Sequence, residues 1–133
     1  MTKRIVICGG PRTGKTTYGK RLAEQMGCKL ISTDDFIDLG WSECSAHVAE
    51  LMLDSGGPWV IEGVAAVRAL RKALDAKDGK VCDEVIWLSE PYEKLLPGQE
   101  SMTKGCNTVW AGIENQVRDR KVEVLYGTKD EAP

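Results

Sequence analysis

Short apolar runs alternate with helical patterns along most of the chain. Apolar residues continue without interruption from Ile5 to Cys8, and a Gly-Gly-Pro sequence ends the run, which predicts a strand buried on both faces. Residues 15–26 then place apolar side chains at every fourth position and stop before Gly27, as a helix with a glycine cap does. A buried strand followed by a helix is typical of a parallel sheet.

The same alternation continues to the end of the chain. Further strands are predicted at 29–32, 59–61, 85–88 and 122–126, and further helices at 45–53 and 64–76. Residues 89–107 contain two prolines and two glycines, so we expect a mobile loop or lid there, although 107–118 can form a helix. The tail after Gly127 is expected to fray. The alternation predicts a three-layer α/β domain around a parallel sheet.

Composition narrows the class of protein only modestly. The 133 residues suit one domain, 1–133, and a content of 42% hydrophobic and 29% charged residues is ordinary for a globular protein. The net charge of −2 argues against a broad basic surface for duplex DNA, while a local basic groove for a single strand stays possible. The charge alone identifies no partner.

Cysteine usage and the N-terminal residues indicate a compartment. The five cysteines are odd in number and form no C-x-x-C pair, so neither a disulfide framework nor a zinc site is indicated, and a reducing cytoplasm fits best. The N-terminal apolar run is too short for a signal peptide or a membrane helix, so we expect no membrane partner.

The strongest functional signal lies between the first strand and the first helix. Residues 9–16 match G-x-x-x-x-G-K-S/T at every fixed position, in the strand–loop–helix context that a phosphate-binding loop requires. Backbone N–H groups and the helix dipole then face the phosphates of a nucleoside triphosphate, ATP or GTP. Lys15 adds a positive charge at the β- and γ-phosphates, and the Thr16 hydroxyl is a ligand for Mg²⁺. The predicted nucleotide-binding residues are Gly9, Gly10, Pro11, Arg12, Thr13, Gly14, Lys15, Thr16 and Thr17. Arg12 points either to solvent or towards the acceptor side.

Acidic residues follow the second and third predicted strands, at the edge where ligands of parallel sheets collect. Asp34 is placed to accept the proton of an attacking hydroxyl or to hold Mg²⁺ through water, although an Asp-rich turn or a helix N-cap gives the same pattern. We favour the catalytic interpretation, so Asp34 is our candidate catalytic base together with Lys15 as catalytic cation. Asp35 is as suited to Mg²⁺ or to a structural turn as to catalysis. Glu62 ends a hydrophobic strand, a Walker B-like signal for Mg²⁺-bound water, although a capping glutamate gives the same pattern.

Taken together, four segments carry a family resemblance: I-V-I-C-G-G-P-R-T-G-K-T-T, I-S-T-D-D-F, W-V-I-E-G-V and D-E-V-I-W-L-S-E-P-Y-E. About the first 93 residues resemble small P-loop kinases of the uridine kinase and nicotinamide riboside kinase type, and more loosely polynucleotide kinases and zeta toxins. The resemblance implies a P-loop NTPase fold with a five-stranded parallel sheet and phosphoryl transfer from ATP to a hydroxyl group. It implies Asp34 as the general base, and Glu62 as the acid that organises magnesium or substrate.

The chain departs from this pattern after the fourth strand. Relatives carry a lid with an arginine that stabilises transition-state charge, whereas residues 95–104 contain none. The candidates to replace it are Lys94, Lys104, Arg118 and Arg120. The leading hypothesis is therefore an ATP-dependent kinase acting on a small molecule, nucleoside or nucleic-acid end. The alternatives are a nucleotide-binding switch or weak ATPase without an acceptor, and a scaffold that binds nucleotide only for stability.

Two further features near the acceptor side have open interpretations. Trp41 can stack on a base or ring, but ordinary packing is the favoured interpretation. Arg68 and Arg71 lie three residues apart on a predicted helix, where a solvated basic face is favoured over a binding site for an acidic acceptor. The sequence leaves the acceptor and the oligomeric state open.

Overall fold

Strands and helices alternate through residues 3–131, the part of the chain that the computed structural model describes. The strands are β1 (Arg4–Gly9), β2 (Lys29–Ser32), β3 (Trp59–Glu62), β4 (Glu84–Leu88) and β5 (Glu123–Gly127). The helices are α1 (Lys15–Met26), α2 (Trp41–Asp54), α3 (Ala66–Ala76) and α4 (Pro97–Asp119), with 3-10 helices at Thr33–Leu39 and Lys129–Glu131.

All five strands pair in parallel, in the order β2-β3-β1-β4-β5. Ile7 of β1 pairs with Glu62 of β3, and Glu62 in turn pairs with Ser32 of β2. The carboxyl ends of three neighbouring strands therefore meet at one edge of the sheet. Because the segments after β1, β2 and β3 carry the phosphate-binding motif, Asp34 and Gly63, this register gathers them at the same edge.

Side chains of β1 alternate between two hydrophobic layers. Ile5 and Ile7 pack with α1 on one face, whereas Val6 and Cys8 face a larger cluster built with α2, α3 and α4. The period-2 alternation of a strand puts successive side chains on opposite faces, so a continuous apolar run is needed where both faces are covered. The predicted three-layer α/β architecture with a five-stranded parallel sheet is confirmed.

The segment after β4 differs from the prediction. In this segment, residues 89–96 lack regular structure and α4 begins at Pro97, so the expectation of a loop rather than a long helix is wrong from Pro97 onward, while a lid at 89–107 stays a prediction. Pro97 and Gly98 suggested a break, but proline at the first position of a helix costs nothing because its missing N–H has no helical partner there. The side chain of Gln99 also accepts a hydrogen bond from the Leu96 N–H at 3.0 Å, which caps the new helix.

Helix boundaries and the tail also needed correction. Helix α2 begins at Trp41, four residues before the predicted start at 45. The tail does not fray immediately after Gly127, because Lys129–Glu131 forms a 3-10 turn in which Glu131 accepts a hydrogen bond from the Thr128 N–H at 3.0 Å. The last two residues of the predicted tail lie outside the described part.

Among residues 3–131, no helix has the length and apolarity needed to cross a bilayer.

Candidate active site

The phosphate-binding motif forms a tight loop from the end of β1 to the start of α1. Gly14 has φ 86°, a left-handed conformation that suits glycine, and it directly precedes the first helical residue. Inside the loop, the Thr13 hydroxyl donates a hydrogen bond to the Gly10 carbonyl at 3.0 Å, and the Lys15 ammonium donates to the same carbonyl. The loop is therefore closed by its own side chains, and the N-terminus of α1 opens onto the site beside it.

Lys15 is almost fully buried, with 6% of its surface exposed. Burial lowers its pKa below the ordinary lysine value, while the negative charges of Glu62 and Asp34 oppose that shift. Within residues 3–131, the hydrogen bonds of the ammonium go to two oxygens of its own loop, Gly10 O and Thr13 Oγ1, the latter at 3.3 Å. An anionic phosphate is a stronger partner for this cation than a neutral carbonyl, so the side chain is ready to change partners when nucleotide binds.

Thr16 and Glu62 come together from two different elements. The Thr16 hydroxyl donates a hydrogen bond to Glu62 Oε1 at 3.1 Å, and Glu62 is 1% exposed. Within residues 3–131 there is no cluster of three His, Cys, Asp or Glu side chains able to hold a metal by itself. A hydroxyl and one carboxylate fit Mg²⁺, which keeps several waters and takes its remaining ligands from substrate phosphates.

A cavity of about 360 Å³ lies over the phosphate-binding loop. It brings together residues of the motif with the acids from the neighbouring strands, and its lining comprises Pro11, Arg12, Gly14, Lys15, Thr16, Thr17, Asp34, Glu62, Gly63, Val64, Tyr92 and Lys129. Gly9, Gly10 and Thr13 build the loop behind this surface. Asp34 therefore shares one space with Lys15. Asp35 is exposed on the same 3-10 helix but is not part of this lining.

Arg12 follows neither of the two orientations considered from the sequence. Its guanidinium pairs with Glu93 and donates through Nε to Gln99 Oε1 at 3.0 Å, while its carbonyl accepts from the Tyr92 N–H at 2.8 Å. These contacts fasten the segment 89–96 and the start of α4 to the phosphate-binding loop. The guanidinium and the carbonyl of Arg12 therefore both stabilise the position of this segment.

Lys129 and Tyr92 are cavity residues that the sequence did not reveal. Gly14 lies so close to Lys129 that a β-carbon on it would be 2.4 Å from Lys129 Cβ, and the Lys129 ammonium sits 5.6 Å from the centre of the Tyr92 ring. The lysine lies in the tail that was expected to fray, so no local pattern pointed to it. It brings a third cation to the cavity besides Arg12 and Lys15.

The four basic residues considered as replacements for a lid arginine lie outside the cavity. Arg118 pairs with Glu114 at 3.0 Å on the surface of α4. Arg120 donates to backbone carbonyls at the end of α3 and the loop beyond it, including Leu74 O at 2.8 Å. Lys94 and Lys104 are exposed and do not line the cavity. None of these four side chains lines the cavity over the phosphate-binding loop.

Comparison with known proteins supports the architecture. The solved structure of shikimate kinase from Acinetobacter baumannii in complex with shikimate superposes with a TM-score of 0.61 over 99% of this chain and 89% of that chain, at 17% identity. The chain has the P-loop kinase fold. At this level of identity the structural likeness establishes the fold and not the substrate.

Curated relatives with this fold are detected in sequence as well. A shikimate kinase of Rhodococcus jostii is 33% identical over 104 residues, which are 74% of this chain and 56% of the relative. A shikimate kinase of Corynebacterium glutamicum is 27% identical over 107 residues, 68% of this chain and 60% of the relative. The chain thus spans a little more than half the length of these relatives. No family model matches it. The resemblance is confirmed as far as the P-loop kinase fold, and its uridine kinase or nicotinamide riboside kinase type is not confirmed.

Proposed function

We propose that this chain catalyses the Mg²⁺-dependent transfer of the γ-phosphate of ATP to a hydroxyl group of a small molecule. The observation that carries the proposal is the single cavity in which the phosphate-binding loop, Glu62 and Asp34 face one another. A nucleotide held by the loop and a hydroxyl held beside Asp34 would meet in that space. Kinases named in the sequence comparison supply the matching reaction class.

Phosphate binding falls to the loop and to Lys15. The backbone N–H groups at the start of α1 and the buried ammonium stabilise the negative charge of the β- and γ-phosphates, without reorganising as the reaction proceeds. Thr16 and Glu62 would hold Mg²⁺, and the bound ion neutralises charge on these phosphates. Asp35 stays a prediction for metal binding, which the experiment below includes.

Asp34 is the proposed general base. It lines the cavity as an exposed carboxylate on the 3-10 helix after β2. In the reaction, the acceptor oxygen attacks the γ-phosphorus, its proton passes to Asp34, and the bond from the γ-phosphorus to the bridging oxygen of ADP breaks. The products are ADP and a phosphomonoester. Proximity of the two substrates and the proton acceptor is the main contribution that this geometry makes.

The test follows label from γ-labelled ATP to acceptors in the presence of Mg²⁺. Shikimate comes first, because the relatives are named for it, followed by nucleosides, sugars and oligonucleotides with a 5′-hydroxyl group. We expect label on one acceptor class, with Asp34→Asn losing at least about a hundredfold in transfer while retaining ATP affinity. Asp38→Asn is the matched control, since Asp38 is exposed on the same 3-10 helix and outside the cavity. A changed Mg²⁺ dependence in Asp35→Asn would show that this residue serves the metal.

A second candidate is a weak ATPase or nucleotide switch without an acceptor. The observation that favours it concerns the arginine of the cavity. Arg12 is already paired with Glu93, and the segment after β4 contributes no other arginine to the cavity lining. Label that appears only as slowly released phosphate, equally with every acceptor, supports this candidate and contradicts the kinase. Thermal stabilisation by ATP with no turnover at all would leave nucleotide binding as the only activity.

A further inference from the structure

Arg12 adopts a backbone conformation that favours glycine. Its φ is 59°, in the left-handed region, where the β-carbon of an L-residue comes too close to a carbonyl oxygen. A glycine at this position would avoid that cost. It would also keep the hydrogen bond from the Tyr92 N–H, because the acceptor is the backbone carbonyl of residue 12. The reason for an arginine at this position of the phosphate-binding loop therefore lies in its side chain.

The contacts that this side chain makes within the protein are weak ones. Its ion-pair partner Glu93 has 59% of its side chain exposed, and ion pairs at such exposed positions contribute little to stability. Its second partner, Gln99 Oε1, is a neutral oxygen at 3.0 Å. The same oxygen accepts from the Leu96 N–H at 3.0 Å, so it keeps a partner when the guanidinium leaves.

The guanidinium lies next to the space where the phosphates are expected. Arg12 lines the cavity over the phosphate-binding loop, and among the lining residues described within 3–131 it is the one arginine. The other two cations of the cavity are held differently. Lys15 is buried and donates to oxygens of its own loop, whereas the Lys129 ammonium lies 3.6 Å from Asp130 in the tail. Arg12 is thus the cavity cation whose protein partner lies on the segment after β4.

A γ-phosphate is a stronger partner for this guanidinium than Glu93 or Gln99. It carries more negative charge than a carboxylate, and a planar guanidinium can donate to two of its oxygens in parallel. Breaking the exposed ion pair with Glu93 costs little in return. Because the Tyr92 N–H holds the Arg12 carbonyl at 2.8 Å, the change of partner needs only a rotation of the side chain.

We propose that Arg12 exchanges Glu93 for the γ-phosphate when ATP binds, so that Glu93 competes with the nucleotide for this arginine and the exchange distinguishes ATP from ADP. The inference rests on the proposed function and specifies how the same site is regulated. ADP has no γ-phosphate, so Arg12 stays on Glu93 when ADP is bound. During transfer, the guanidinium stabilises the negative charge that spreads over the oxygens of the transferred group.

Nucleotide affinities test the exchange without an acceptor. Titration calorimetry in the presence of Mg²⁺ gives the Kd of ADP and of a non-hydrolysable ATP analogue. We expect Arg12→Gln to weaken the ATP analogue about ten- to a hundredfold and ADP by less than about twofold. If the side chain served only to hold segment 89–96, both nucleotides would weaken equally. Arg118→Gln is the matched control, because Arg118 also pairs with a glutamate but lies outside the cavity.

Glu93→Gln tests the competition and leaves Arg12 in place, so it also serves if the Arg12 variant unfolds. Removing the competing carboxylate should tighten the ATP analogue about two- to fivefold and leave ADP unchanged. The same substitution in the Arg12→Gln background should have no effect, since no guanidinium remains to compete for. Glu90→Gln is the control for a general effect of negative charge, because Glu90 is exposed on the same segment and outside the cavity lining.

The transfer assay separates this inference from the proposed function. If an acceptor is labelled, Arg12→Gln should lower kcat at saturating ATP, and added guanidinium ion should restore part of it, which it cannot do for a lost structural contact. If no acceptor is labelled but the ATP-to-ADP affinity ratio depends on Arg12 and Glu93 as described, the kinase proposal fails and the exchange stands. Equal weakening of both nucleotides in Arg12→Gln, or a Glu93→Gln effect that persists without Arg12, would overturn the inference.

Discussion

The Thr16 hydroxyl donates a hydrogen bond to Glu62 across 3.1 Å, joining the first turn of α1 to the end of β3. The parallel register places the two strands side by side, so a residue just beyond β1 and the last residue of β3 can meet. Glu62 is buried and reaches water only at the cavity. Its negative charge is therefore directed at the place where a hydrated cation would bind. This pair links the fold to the proposed metal chemistry.

Removing the charge of Glu62 should affect Mg²⁺ and spare the fold. Glu62→Gln keeps an oxygen that can accept from Thr16, but it withdraws the negative charge, so we expect a Mg²⁺ requirement raised about ten- to a hundredfold. The measurement is ATP affinity as a function of Mg²⁺ concentration, with thermal unfolding to verify the fold. Glu84→Gln is the control, because Glu84 is also a buried glutamate but pairs with Lys3 at the amino end of the sheet. An unchanged Mg²⁺ requirement in Glu62→Gln would contradict the assignment.

Gly63 is predicted to tolerate no side chain. Its φ is 142°, and a β-carbon there would lie 1.8 Å from Thr33 Oγ1, a contact that forces the two strand ends apart. We expect Gly63→Ala to lower the free energy of unfolding by about 3 kcal/mol and to weaken ATP binding. Urea unfolding gives the first quantity.

The same substitution elsewhere gives a matched control. Gly112 lies in α4, and a β-carbon on it meets nothing within 4 Å. Alanine has the higher helix propensity, so Gly112→Ala should raise the free energy of unfolding by about 1 kcal/mol. If both variants shift stability in the same direction, close packing at Gly63 is not the cause.

Local patterns were sufficient for most of the fold and part of the site. An apolar run predicted the buried strand before the phosphate-binding loop, and helical spacing with a glycine cap predicted the boundaries of α1. The fixed motif and the geometry of parallel sheets predicted that one edge of the sheet brings together Lys15, Thr16, Asp34 and Glu62. Each of these signals lies within a few residues of the feature it predicts.

Contacts between distant segments were the part that local patterns could not supply. Lys129 reaches the cavity because the tail turns back over Gly14, and Arg68 meets Trp41 because α3 packs on α2. Neither contact has a signature in the sequence around these residues.

Pro97 was misinterpreted for a different reason, since proline both ends helices and begins them, and only the hydrogen bond from the Leu96 N–H to the Gln99 side chain shows which applies.

Asp83 should make stability depend on acid pH. It accepts hydrogen bonds from the Arg4 N–H at 2.8 Å and from Arg4 Nε at 3.2 Å, which tie the start of β4 to β1. Burial raises the pKa of Asp83, but the hydrogen bonds and charge of Arg4 outweigh it and leave the pKa below its usual value. A depressed folded-state pKa contributes stability that is present above the unfolded value of about 3.9 and is lost as pH falls through the folded value.

Urea unfolding at several pH values measures this contribution. We expect Asp83→Asn to be about 1 kcal/mol less stable than the original protein at pH 7, because the site is partly exposed and the pair is screened. The difference should shrink below about pH 4 and disappear in stronger acid. Asp78→Asn, in an exposed loop, should show no such pH dependence. A constant difference between the two proteins down to strong acid would mean that ionisation of Asp83 is not responsible.

The five cysteines should differ sharply in reactivity. All are free thiols, but Cys8, Cys44, Cys82 and Cys106 are buried, and burial raises the pKa of Cys82 to about 12. Cys28 alone is partly exposed, and its pKa is also raised by burial. Because the thiolate is the reactive form, a disulfide reagent should modify one thiol per native chain, at a rate that still rises with pH beyond about 8.5. Cys28→Ser should abolish this phase, while urea should expose the four remaining thiols. A second rapid phase in the Cys28→Ser variant would show that one of the buried cysteines is reached through local opening.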